Sequence, residues 1–313
     1  MKPEILVVTP IYAPTLAALE REFTVHKLWH ASDLKAFLEA VAPNVRGVVT
    51  TGIAGVGRQH IDALPRLEII GCIGNPRGTV DLATARARAI AVTNTPDSIA
   101  ASVADLAVGL LIAVARRLCE CDRFVRAGKW ADAAPPAGRD LGGKTCGIIG
   151  LGSIGANIAR RAEAFGMAVC YHGPREKRDV PYRYYADLAA MARNCDCLMV
   201  TCPATDATRN LVDARILDAL GPDGLIVNVA RGSIVEESAL IAALKEKRIA
   251  GAGLDVYRDE PRVSAELVGF DNVVLTPHIG STTREIREER GAKLIANLRA
   301  HFSGHAVLNP VPG

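Results

Sequence analysis

Cys146-Gly147-Ile148-Ile149-Gly150-Leu151-Gly152-Ser153-Ile154-Gly155 passes from an apolar β-type segment into a glycine-rich turn. The residues that follow, to about Phe165, are apolar at helical spacing. The turn matches G-x-G-x-x-G, a pattern that is weak alone and strong between a strand and a helix. Gly150 permits the tight turn, Gly152 lets the backbone approach a pyrophosphate, and Gly155 lets helix and strand pack closely. Amides at the start of the helix, from Ser153 and Ile154 onward, then face phosphate charge. A second stretch, Gly138 to Thr145, fits the phosphate-loop pattern of nucleoside triphosphate enzymes. It leads into a strand where that loop requires a helix, so it is set aside.

The alternation of strand and helix extends in both directions. The downstream series predicts strands at Cys146 to Ile149, Ala168 to His172, Cys197 to Cys202, Leu225 to Val229, Ala252 to Val256 and Val273 to Thr276. Helical patterns at about Ile154 to Phe165, Ala214 to Leu220 and Glu237 to Glu246 separate them. Continuous apolar strands between helices indicate a doubly wound parallel sheet, and six of them fit a full dinucleotide fold. Upstream, strands are expected at Ile5 to Thr9, Gly47 to Thr51, Leu67 to Cys72 and Ala91 to Thr93, with helices at Ser32 to Ala40 and Asp81 to Ala89. Thr95-Pro96 breaks that series, and Asp97 or Ser98 can cap one long helix reaching about Ala127. Thr282-Thr-Arg-Glu285 reads as a capping box for a last helix ending near Phe302. The fold class is therefore α/β, with two doubly wound parallel-sheet domains.

Composition narrows the function classes. A chain of 313 residues that is 49% hydrophobic has room for about two domains, each with its own core. The net charge of +3 gives no electrostatic case for a nucleic-acid binder. The longest nearly pure apolar run, Leu106 to Ala115, is ten residues, and a bilayer needs about 20. The N-terminus reads as a first strand, not as a signal peptide, so a cytoplasmic protein is expected. Cys119 with Cys121 and Cys195 with Cys197 are C-x-C pairs with no histidine nearby, and no C-x-x-C occurs. Reduced, buried thiols are expected, with no metal site.

The cofactor type turns on the tip of the second strand, Tyr171-His172-Gly173-Pro174-Arg175-Glu176-Lys177-Arg178. NAD sites usually carry an acid there for the ribose 2′-hydroxyl. Its absence removes repulsion of a 2′-phosphate, and Arg175 with Lys177 or Arg178 supplies positive charge. NADP(H) is the expected cofactor, with NAD as the alternative. Ligands of open α/β sheets bind beyond the carboxyl ends of the strands. Arg231, Glu260 and His278 each follow a predicted strand there. Taken singly, each has an ordinary structural explanation. Together, beside a dinucleotide loop, they suit reduction of a ketone. Histidine supplies a proton, a carboxylate orients it, and a guanidinium binds a substrate carboxylate and polarises the adjacent carbonyl.

The chain resembles the D-isomer-specific 2-hydroxyacid dehydrogenases over nearly its whole length. The resemblance rests on Val92-Thr-Asn-Thr-Pro-Asp97, Gly147 to Gly155, Asn228-Val-Ala-Arg-Gly232, Gly253-Leu-Asp-Val256, Glu260-Pro261 and Pro277-His-Ile-Gly-Ser281. Within the family it looks most like the NADPH-dependent glyoxylate and hydroxypyruvate reductases. The resemblance implies a substrate domain of residues 1–96 and 283–313 with a dinucleotide-binding domain, 97–282, inserted. It implies a homodimer built through the long helix, a small 2-keto acid substrate, and roles for Arg231 in substrate binding and for His278 with Glu260 in proton transfer. It places Asp255 near the nicotinamide carboxamide and Ser281 beside the ring. His172, Gly173, Arg175, Cys202, Pro203, Thr208, Val229, Ala230, Arg231, His278 and Gly280 fall along the implied cofactor site.

Two stretches depart from the family. Its members usually hold the substrate carboxylate on backbone amides of a Gly-x-Gly or Val-Gly turn. Here the loop reads Cys72-Ile-Gly74-Asn-Pro76-Arg77-Gly78-Thr-Val-Asp81, in which Pro76 has no amide to donate and Arg77 adds a charge. Gly74 is the expected substrate contact. The other departure is Pro174, where related reductases often carry arginine. Glyoxylate, hydroxypyruvate, 2-ketogluconate and phenylpyruvate remain open as substrates. A non-enzymatic dinucleotide sensor of the co-repressor type is the alternative of a different class; the intact Arg-Glu-His set argues against it.

Overall fold

The computed structural model describes residues 2–96 and 99–311. Asp97 and Ser98, the expected cap of the long helix, lie outside the described residues. The chain divides into two compact units, Met1–Ser98 with Arg284–Gly313, and Ile99–Thr283.

The first unit holds five strands: β1 (Glu4–Val7), β2 (Thr24–Lys27), β3 (Val45–Thr51), β4 (Ile69–Ile73) and β5 (Ala91–Thr93). They pair in the order β2-β1-β3-β4-β5, all parallel, which is the flavodoxin-like order. β2 was not expected. It is an edge strand of sequence Thr-Val-His-Lys, and an edge needs no continuous apolar run. Alternate residues of the sheet fill two layers. Ile5, Val7, Val49 and Ile69 meet Leu294 and Leu298, while Leu6, Val48 and Ile70 meet Ile61 and Leu64. The C-terminal helix Arg284–Phe302 thus belongs to the core of the first unit. It starts at Arg284, one residue later than a box capped by Thr282 would set it. Its approach to the sheet is close: a Cβ on Gly71 would lie 2.5 Å from Leu294 Cδ1.

The second unit holds seven strands where six were expected: β6 (Thr145–Ile149), β7 (Ala168–His172), β8 (Arg183–Tyr185), β9 (Cys197–Val200), β10 (Leu225–Asn228), β11 (Gly251–Leu254) and β12 (Val273–Leu275). The order is β12-β11-β10-β9-β6-β7-β8, all parallel. This is the dinucleotide-fold order with one strand added beyond β11. The strand that sequence missed is β8, an edge of Arg-Tyr-Tyr whose Tyr184 ring sits 5.4 Å from Tyr171.

The long helix is two helices. Ala100–Ala115 has nine buried residues and packs against the sheet and the helix Ser153–Ala164, whereas Leu118–Arg126 buries none. Arg117 turns the chain between them with φ +53°, and its guanidinium forks onto Glu120 at 2.7 and 2.8 Å. The break falls where the buried apolar stripe ends, so no core contact holds the chain on one axis. All eight cysteines are free thiols, six of them buried. No helix among the described residues is long and apolar enough to cross a membrane.

Leu294→Ala should empty the seat between the C-terminal helix and β4. The expected loss is about 2–5 kcal/mol in the first unit, read as a lower urea midpoint.

Candidate active site

The glycine turn follows β6 as its sequence requires. Gly150 has φ +98°, and a Cβ there would stand 2.6 Å from Cys202 Cα. Gly155 is closed the other way, since its Cβ would fall 2.4 Å from the Gly150 carbonyl oxygen. Gly152 caps the helix Ser153–Ala164 without any side-chain hydrogen bond, and its Cβ would meet nothing within 4 Å. An uncapped twelve-residue helix start facing open space fits a pyrophosphate. Thr201 Oγ1 donates to the Gly150 carbonyl at 2.7 Å and fixes the turn.

The tip of β7 lies alongside. The Gly150 amide donates to the His172 carbonyl at 2.9 Å, and His172 Nδ1 meets the Tyr185 carbonyl at 2.9 Å. Tyr184 donates to the Gly173 carbonyl at 3.0 Å, so the unexpected strand β8 positions this tip. The Lys177 ammonium donates to the Leu151 carbonyl, inside the glycine turn. Arg175 and Arg178 are exposed and have no partner among the described residues, and no carboxylate stands at the end of β7 itself. Beyond β9, burial pushes the Cys202 thiol up to about 11. Thr208 donates to the Pro203 carbonyl at 2.7 Å, which ties the following turn.

Adjacent strands β10, β11 and β12 carry Arg231, Glu260 and His278 on the segments after their carboxyl ends. Asn228, buried at the end of β10, accepts from the Ala230 amide at 3.0 Å and donates to the Arg231 carbonyl at 3.0 Å. Val229 and Ala230 are buried, and Arg231 is exposed, with Nη1 on the Ala230 carbonyl at 2.6 Å. The turn presses on the next loop: a Cβ on Gly232 would lie 2.0 Å from the Tyr257 carbonyl carbon. Glu260 takes the Tyr257 amide on Oε1 at 3.0 Å and meets His278 Nδ1 with Oε2 at 2.7 Å. His278 itself has φ +54°, an uncommon conformation for a residue other than glycine.

Asp255 holds that conformation. It is 1% exposed, and its carboxylate accepts from Thr276 Oγ1 at 2.7 Å, the Ile279 amide at 2.8 Å and the Gly280 amide at 2.9 Å. Its carbonyl takes the His278 amide at 2.9 Å. Ser281, next along, is partly exposed.

The family model for the D-isomer specific 2-hydroxyacid dehydrogenase NAD-binding domain matches residues 108–280. A glyoxylate/hydroxypyruvate reductase A of Arabidopsis thaliana is 44% identical over 98% of both chains. The chain belongs to the D-isomer specific 2-hydroxyacid dehydrogenase family. It is thus an oxidoreductase of the 2-hydroxy acid/2-keto acid pair, with a nicotinamide cofactor. A 2-ketogluconate reductase of Gluconobacter oxydans is 41% identical over 99% of both chains. A solved NADPH-dependent glyoxylate/hydroxypyruvate reductase of Sinorhizobium meliloti, in complex with citrate, superposes with TM-score 0.88 at 39% identity, covering 99% of this chain and 98% of that one.

In this dehydrogenase, residues outside the candidate set fix the same segments. Besides Thr201 and Asn228, Ser102 donates to the Gly280 carbonyl at 3.0 Å from a helix 178 residues away in sequence. Tyr257 donates to the carbonyls of Leu254 and Thr276 at 3.1 and 2.8 Å, and burial pushes its hydroxyl up to about 12. Tyr257 therefore stays protonated through the neutral range. Strand-end position was the available signal for Asn228 and Thr201; nothing local marks Ser102. Gly74 lies in the first unit with φ +95°, and its amide is taken by Thr95 Oγ1 at 2.9 Å.

Gly150→Ala would force a Cβ into Cys202 at a left-handed residue. NADPH and NADH affinity should fall about tenfold or more, measured by quenching of reduced-nicotinamide fluorescence.

Proposed function

We propose that the enzyme reduces a small 2-keto acid of the glyoxylate/hydroxypyruvate class to the D-2-hydroxy acid, with NADPH preferred over NADH. The observation that carries this is the 2.7 Å contact between His278 Nδ1 and Glu260 Oε2, whose other oxygen is anchored on the Tyr257 amide. When bound, the nicotinamide supplies a hydride to the carbonyl carbon. His278 delivers a proton from Nε2 to the carbonyl oxygen while its Nδ1–H stays on Glu260. Arg231 binds the substrate carboxylate by its fork and polarises the carbonyl. Asp255 and Ser281 serve the nicotinamide end, with Asp255 acting mainly through the loop it holds.

In this reading the inserted unit, about residues 97–282, binds the dinucleotide, and residues 1–96 with 283–313 form the substrate domain. NADPH preference rests on the unpartnered Arg175 and Arg178, on Lys177 over the glycine turn and on the missing strand-tip acid. The name of the Sinorhizobium relative, an NADPH-dependent reductase, supports it. A homodimer formed through Leu118–Arg126 fits that helix, which buries nothing in the chain and leaves Leu118, Val125 and the nearby Trp130 exposed. The likeness to 2-ketogluconate reductase favours, as a second reading, a bulkier 2-keto acid at the same site.

Initial rates with glyoxylate, hydroxypyruvate, 2-ketogluconate and phenylpyruvate, each with NADPH and NADH, test these readings. Oxidation of neither cofactor with any acid would sink them. His278→Gln should lower turnover about 10²–10⁴-fold and leave NADPH binding near wild type; ordinary turnover would remove the proton assignment. Arg175→Ala should weaken NADPH about tenfold and spare NADH, as loss of one charge-assisted contact predicts.

A further inference from the structure

The glycine turn and the loop Gly173 to Arg178 leave adjacent parallel strands at the same end, since Ile149 of β6 pairs with His172 of β7. Pro174 to Arg178 are all exposed, a setting in which surface loops are ordinarily mobile. This loop is tethered at both ends. At its start the Tyr184 hydroxyl donates to the Gly173 carbonyl at 3.0 Å. At its far end the Lys177 amide donates to the Tyr171 hydroxyl oxygen at 2.6 Å. Tyr171 is 1% exposed, and the ring of Tyr184 packs 5.4 Å from its own, so both tethers rest on the core of the second unit. Arg175 stands between them.

Lys177 supplies a third tether, and this one leaves the loop. Its ammonium donates to the Leu151 carbonyl in the glycine turn. That carbonyl has a fixed direction, because the Leu151 side chain is buried and the next amide, of Gly152, donates to the Gly150 carbonyl at 2.9 Å. Glu176 and Asp179 flank this stretch, yet neither forms an ion pair with Lys177, Arg175 or Arg178 among the described residues. The ammonium thus sits on a neutral carbonyl of the neighbouring turn and not on an acid of its own loop. Strand β6, the glycine turn, the Lys177 side chain, the loop and β7 form a closed ring, and Arg175 is carried on it.

We propose that Lys177 is a positioning residue for cofactor choice: by bridging the loop after β7 to the Leu151 carbonyl, it holds Arg175 where the guanidinium meets the 2′-phosphate of NADPH. This rests on the NADPH reading above and deepens it. The guanidinium fork matches two phosphate oxygens, whereas an ammonium engaged on a carbonyl fixes the backbone that carries its neighbour. A cation on a fixed loop loses less freedom on binding than one on a free loop, so affinity rises with no added contact.

A double-mutant cycle between Lys177→Met and Arg175→Ala tests this by binding, without turnover. NADPH and NADH are measured by quenching of reduced-nicotinamide fluorescence, and adenosine 2′,5′-bisphosphate and adenosine 5′-monophosphate by calorimetry. Lys177→Met should weaken NADPH and the bisphosphate about 5- to 10-fold, and NADH and the monophosphate by less than about threefold. In the Arg175→Ala background the same substitution should weaken NADPH by less than about twofold, since no guanidinium is left to position. Lys177→Arg, which keeps a donor for the carbonyl, should retain most of the affinity. Additive losses would overturn the assignment by making Lys177 a phosphate ligand in its own right. Equal losses on both cofactors, or none from Lys177→Met, would overturn it too, and all three outcomes leave the NADPH reading standing. If Arg175→Ala weakens NADPH no more than NADH, that reading falls and the inference falls with it.

Discussion

A buried carboxylate after β11 sets the geometry of the segment that carries His278. Burying a charge without partners is costly, and Asp255 avoids that cost by accepting three hydrogen bonds on its side chain. All three donors belong to the segment after β12, and the Asp255 carbonyl takes the His278 amide as well. The segment is bent by these bonds until His278 enters the left-handed region, which costs about 1–2 kcal/mol for a residue with a Cβ. That bend accompanies the contact of Nδ1 with Glu260. Tyr257 fastens the same two strand ends from below by bonding the carbonyls of Leu254 and Thr276. The imidazole is thus aimed by a framework outside the His278–Glu260 pair itself.

The parts of the fold that could be read from sequence are those whose physics is local. The central strands are buried on both faces and spell continuous apolar runs, as Ile5-Leu6-Val7 and Leu225-Ile226-Val227 do. The two missed strands, β2 and β8, are sheet edges with polar or aromatic residues, where pairing on one side suffices. The helix break at Arg117 was illegible for a different reason. Arg-Leu-Cys-Glu has no breaker, and the turn appears where the sheet ceases to offer a surface for the helix to cover.

The site divides the same way. Arg231, Glu260 and His278 could be singled out as candidates because ligands of open α/β sheets bind beyond strand ends, and three polar residues stood there. The groups that aim them could not. Ser102 reaches Gly280 across 178 residues, and Asn228 looks like the end of a strand until both ends of its amide are seen to close the Arg231 turn. Asp255 was legible as a candidate but not as a clamp on the segment after β12. Its nearest chemical neighbours belong to another strand's loop, and spacing in sequence does not encode that.

Charge placement is uneven along the chain. The net charge is only +3, and many of the arginines are committed to acids, such as Arg46 to Glu68 and Arg299 to Glu22. These exposed pairs each contribute little to stability. They matter more by neutralising the surface elsewhere. Being unpaired is not by itself a functional sign, since Arg66 and Arg86 also lack partners among the described residues. What separates Arg175 and Arg178 is position: each follows the carboxyl end of β7, beside a glycine turn with open space above it. A cation in that position keeps its hydration until an anion arrives with oxygens to replace it. Local charge at such a strand end, not the net charge, is the physical ground for expecting a phosphate there.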